Sequence, residues 1–208
     1  MSYGGFERRM NPDTMNESLV ERDLFGDVVM ESDATKQQAA AYRGELERRF
    51  PDLVRQTMSE KERAALLQRG YRMVEGLWSK EQSKEPPQPL LRDIRLRVRR
   101  ALELPAKRED DLLIYSSVGH PLQEIAGIDG FLRINARPGR QPVYVSLGYE
   151  VDPHPAKDIA DVDMSRIPDA ESEPEEYGRA LNGISDRIYQ EYRRQKETQE
   201  RGMPKRRF

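Results

Sequence analysis

Three carboxylates carry the best prospect of chemistry in this chain. Asp129 stands at the start of one expected β-strand, and Glu150 and Asp152 stand at the end of the next. Side chains two apart on a strand point the same way, so Glu150 and Asp152 are placed to face Asp129 across a hairpin. This is the stretch where several carboxylates can be held near one another on rigid elements, and carboxylates so held are oxygen ligands.

Other residue types offer less. The chain has no cysteine, which excludes disulfides, a disulfide-linked partner, thiolate zinc sites and cysteine nucleophiles. Its two histidines, His120 and His154, each precede a proline, so a histidine metal site would need carboxylates to complete it. Ser116 and Ser117 could act as nucleophiles only with His120 or His154 as base, and no G-x-S-x-G turn is present. The run SVGHP is too short and too poor in glycine to cradle a phosphate, and no Walker or dinucleotide motif appears.

The elements that must position the three acids read as follows. DLLIYSSVG, GIDGFLRINA and PVYVSLGYEVD, between Asp110 and Asp152, form three strands, the last two joined by RPGRQP as a hairpin. In the third strand Val143, Val145, Leu147, Tyr149 and Val151 share one face, and Tyr144, Ser146, Gly148, Glu150 and Asp152 share the other.

Helices are expected over 34–55, with Pro51 ending or kinking it, and over 59–79, with a Ser59/Glu62 capping box and a buried side marked by Leu67, Tyr71, Val74 and Trp78. A polar, proline-rich break covers 79–89. A third helix runs from Leu90 to Leu104 with Leu91, Ile94, Val98, Ala101 and Leu102 inward. Residues 152–173 read as a proline- and acid-rich connector. A last helix begins near Pro174, with Ser172 and Glu175 spaced for another capping box and Tyr177, Leu181, Ile184, Ile188 and Tyr192 as its apolar stripe.

The expected class is therefore α+β: a small, mainly antiparallel sheet of three or more strands, a helix before it, a packing helix after it, and an N-terminal helical layer. The expected divisions are an acidic, mostly flexible arm (1–33) carrying an apolar docking segment around Leu24, Phe25 and Val28, a helical layer (34–88), the α+β core (89–197) and a basic flexible tail (198–208).

With 36% hydrophobic and 35% charged residues, the core must be modest. No apolar run is long enough for a membrane helix and no secretory signal is visible, so a cytoplasmic location without a membrane partner is expected. Charge comes in blocks: 3 basic against 8 acidic residues over 1–35, 18 against 10 over 36–108, 2 against 10 over 150–177, and 8 against 3 over 187–208. Such blocks dock on each other or on partners, and the acidic arm and basic tail are candidate protein-binding segments.

In the order helix, three strands, helix, with Ile128-Asp129 opening the second strand and Glu150-Val151-Asp152 closing the third, residues 90–195 resemble the core of the PD-(D/E)XK nuclease-like superfamily. The resemblance covers about half the chain. It implies a phosphodiesterase that uses Mg²⁺, with Asp129 and Glu150 as metal ligands and Asp152 as a third. The family's catalytic lysine has no counterpart on the strand. Asp152 occupies its position, and Lys157, in the following loop, is the substitute. Glu103 is the candidate acid from the preceding helix. The resemblance implies a nuclease-like protein with an incomplete catalytic set that binds or acts on nucleic acid.

Five arginines lie within Arg92–Arg100 against one acid, Asp93. Arginine suits bidentate phosphate contacts, which makes Arg92, Arg95 and Arg99 the candidate nucleic-acid contacts. The competing readings are plainer. Asp129 between glycines is a strand-start residue bonding to backbone. Glu150 and Asp152 keep a strand end wet. The arginines pair within the chain with the acids of 158–176. The corresponding rival function is a non-catalytic interaction or assembly protein.

Overall fold

The computed structural model describes residues 22–105, 107–135, 141–149, 159–165 and 167–201. Its core is a four-stranded sheet in the order β1 (Leu112–Ser116), β2 (Gly130–Ile134), β3 (Val143–Gly148) and β4 (Val162–Asp163). β1 with β2 and β2 with β3 pair antiparallel, with Ile114 opposite Leu132 and Leu132 opposite Val145. β4 runs parallel to β3, with Leu147 opposite Val162.

Helices cover both sheet faces. One face presents Leu112, Ile114, Leu132, Val143, Val145 and Leu147 to α4 (Pro89–Ala101) and α6 (Pro174–Arg201), which contribute Leu91, Ile94 and Val98, and Leu181, Ile184 and Ile188. The other presents Leu113, Tyr115, Phe131 and Tyr144 to α1 (Asp33–Val54), α2 (Glu60–Glu75) and α5 (Pro121–Ala126). Double coverage explains why β1 and β3 are buried at every position rather than at alternate ones. Phe25, in a helical turn over residues 22–25, is fully buried beside α4. Its segment is tied to the end of β1: Ser116 Oγ donates to the Gly26 carbonyl at 2.6 Å, and Val28 N donates to Val118 O at 2.9 Å.

Local chemistry sets the helix limits. Ser59 and Glu62 form the expected capping box on α2. That helix stops at Glu75 rather than reaching 79, because a second box, Ser79 with Gln82, starts the short α3 (Lys80–Lys84) inside the expected break. α1 continues three residues past Pro51 to Val54, since near a C-terminus the ring costs little and Leu53 is buried. α4 ends at Ala101, short of Leu104, where Glu103 turns left-handed with φ 51°. Ser172 does not box with Glu175; its N and Oγ both donate to the Asp169 carboxylate, at 2.8 and 2.9 Å. No helix among the described residues is long and apolar enough to cross a membrane.

Candidate functional site

Asp129 is positioned by a short relay. α5 ends at Gly127, whose left-handed φ of 62° lets its N–H close back on Gln123 O. The chain then enters β2 with Asp129 N donating to Leu147 O at 2.9 Å and Asp129 O accepting from Ser117 N at 2.8 Å. The residue is 2% exposed, and its Oδ2 accepts the Tyr149 amide at 2.6 Å. The acid at the start of β2 thus lies against the end of β3, one residue before Glu150. Glu150, Asp152, Lys157 and His154 lie outside the described residues. Among the described residues, no group of three His, Asp or Glu side chains is placed to hold a metal ion.

The Tyr149 bond makes Asp129 a structural acceptor. Asp129→Asn keeps an oxygen for that amide and is expected to change unfolding free energy little. Asp129→Ala takes the acceptor from the N–H of half-buried Tyr149 and is expected to cost about 1–3 kcal/mol. Chemical denaturation of both variants checks this, and equal losses would show that the carboxylate charge, not the bond, is what the fold uses.

The three selected arginines separate. Arg95 turns inward. It is 7% exposed, with Nε donating to Leu112 O at 2.9 Å and Nη2 to Glu109 O at 3.2 Å. Burial, then neighbouring Arg99, lowers its pKa. This guanidinium holds the entry to β1 and is not displayed to a phosphate. Arg92 and Arg99 stay on the outer side, touching the Pro87 and Pro105 carbonyls at 3.3 and 2.7 Å. With exposed Arg100, and with Leu96 43% exposed between them, they form a ridge along α4. Arg97 bonds Asn182 on α6, and Asp93 accepts the Tyr177 hydroxyl at 3.1 Å. The bonds found for these arginines therefore run to carbonyls and an amide rather than to the acids of 158–176.

No family model, curated protein or solved structure matches this chain.

The serines of β1 are structural. Ser116 and Ser117 are fully buried and donate to the carbonyls of Gly26 and Ile128. Sequence reasoning missed a second carboxylate engaged with the main chain, the half-buried Asp161. Its Oδ2 accepts from both N and Oγ of Ser146, at 2.9 and 2.7 Å, while its own N donates back to Ser146 Oγ at 2.9 Å. Burial raises the Asp161 pKa against the opposing effect of those bonds. Nothing in the spacing of 146 and 161 announces this pair. It depends on β4 lying parallel to β3. Its reciprocal bonding with Ser146 fixes the chain where it enters β4, and Arg63 adds a bond to Ile159 O at 3.0 Å.

Proposed function

We propose that this protein binds the phosphate backbone of nucleic acid through the outer ridge of α4 and does not cut it. The observation that carries the reading is the outward row of exposed Arg92 and Arg100 with half-buried Arg99, standing on the helix that leads into the three antiparallel strands. Arg92 and Arg99 are seven residues apart, about 10 Å along the axis. Guanidinium forks at that spacing can engage separate phosphates of one strand. Leu96 between them adds an apolar contact for a sugar or a base.

The absence of cutting rests on Asp129. Mg²⁺ usually keeps several waters and is held by one or two carboxylates. The Asp129 side chain is buried and its Oδ2 accepts a main-chain N–H, which supports a structural role for this carboxylate. The resemblance to the nuclease-like core remains a reading of element order and of one acid at one strand start.

Fluorescence anisotropy with labelled single- and double-stranded DNA and RNA tests the proposal. Binding should be salt-dependent. The triple substitution Arg92→Gln, Arg99→Gln, Arg100→Gln should weaken it at least tenfold and flatten the salt slope by about 2–3. With Mg²⁺ or Mn²⁺ present, wild type should leave the strands intact. Binding that is absent at low salt, or that ignores the triple substitution, overturns the ridge. Metal-dependent cleavage abolished by Asp129→Asn overturns the non-cutting half.

A further inference from the structure

On the opposite side of the sheet from α4, the outer surfaces of α1 and α2 enclose an open trough of about 520 Å³. Its volume falls within the range of ligand sites, about 300–1,000 Å³. Two kinds of group line it. Gln38, Gln68, Arg69 and Arg72 supply polar reach, and Met73 and Leu77, both half-buried, form an apolar floor. Arg69 and Arg72 lie one helical turn apart on α2, so both guanidinium groups serve the same trough. The only counter-charge bonded to Arg69 among the described residues is Glu45, in an exposed pair that an incoming carboxylate can replace.

We propose that this trough docks an acidic segment of a partner protein, one that alternates carboxylates with leucine- or methionine-sized side chains. Charge complementarity selects the carboxylates. The floor selects the apolar residues, with Met73 able to adapt to their shape. The two glutamines favour a peptide over a nucleic-acid backbone: a primary amide both donates and accepts, matching a peptide's N–H and C=O, whereas a phosphate only accepts. A nucleic acid is better served by a row of arginines, which stands on the far side of the sheet. The inference is therefore independent of the function proposed for α4.

The probe is a synthetic peptide in which aspartate and glutamate alternate with leucine and methionine, titrated into isotope-labelled full-length protein and followed by backbone amide shifts. Saturable shifts should appear along 35–38 and 65–77 with a dissociation constant below about 1 mM. Arg69→Glu with Arg72→Glu should weaken binding at least tenfold while thermal unfolding stays cooperative. The triple glutamine substitution on α4 should leave binding unchanged. Four results would overturn the proposal: no saturation by millimolar peptide, equal binding by the charge-reversed protein, equal binding of a lysine-for-acid control peptide, or the same shifts produced as tightly by glutarate, which would make the trough a small-anion site.

Discussion

Phe131→Ala is expected to remove about 3–5 kcal/mol of stability, a large share of the about 5–15 kcal/mol typical of a folded domain. The ring is fully buried at the centre of the sheet. It packs on Tyr71 at 4.6 Å, stacks on Tyr115 at 5.0 Å and leans on Tyr144 at 6.0 Å between ring centres. Truncation leaves a cavity that three large, mutually packed rings cannot close, and it also removes the aromatic pairing, worth about 0.5–1.5 kcal/mol per pair. Trp78 stands edge-on to Tyr115 at 6.2 Å and reports the transition by fluorescence. The denaturation midpoint should fall with an unchanged slope, and Phe131→Leu, which keeps most of the volume, should fall less. A loss under about 1 kcal/mol for the alanine variant would show that α2 and the sheet repack around the gap.

Acid should destabilise the protein through His120. The imidazole is fully buried, stacked on Tyr42 at 5.8 Å. Its Nδ1 accepts Leu122 N at 3.3 Å as the cap of α5, and Nε2 is buried without a hydrogen-bond partner among the described residues. Burial, and then the charge of Arg43, push its pKa down from 6.5 to about 4. Between those values the unfolded chain binds a proton that the folded chain refuses. Stability is therefore complete above pH 6.5, falls as pH drops towards 4, and levels off below it; the full span is worth about 3 kcal/mol. Asp161 and Glu75 act in the opposite direction, because burial raises both of their pKa values and protonation relieves them. The comparison that isolates the imidazole is His120→Asn, which can still cap α5 but cannot titrate. Denaturant unfolding at several pH values should show the slope from 6.5 to 4 in wild type and its loss in the variant. Parallel slopes in the two proteins would remove His120 as the cause.

The α+β class and its first three strands were legible because they rest on runs of branched and aromatic residues bounded by turn residues. The β2–β3 hairpin and the α2 capping box follow from the same local signals. β4 was not legible: it has two residues, Val162 and Asp163, and two residues carry no alternation. α5 was hidden because a six-residue helix capped by a histidine lacks the usual serine or aspartate start. Arg95 could have been placed from spacing alone. It follows Leu91 by four and precedes Val98 by three, on the inward stripe of α4, but residue type drew attention to its charge rather than to its position. Asp129 shows the limit most directly. Its place beside the end of β3 follows from hairpin arithmetic, whereas the burial of its carboxylate against Tyr149 N is set by tertiary packing.

The bond from Ser146 N to Asp161 has a consequence for self-association. β3 has six residues and β4 only two, so among the described residues β4 pairs only with Leu147 and Gly148 of β3. In general, unpaired amides at a strand margin are a template on which a second polypeptide can add and begin a fibril. At Ser146 no such template is offered, because the half-buried Asp161 carboxylate already occupies the N–H a foreign strand would need. The same side chain that seats β4 therefore also guards the margin against polymerisation.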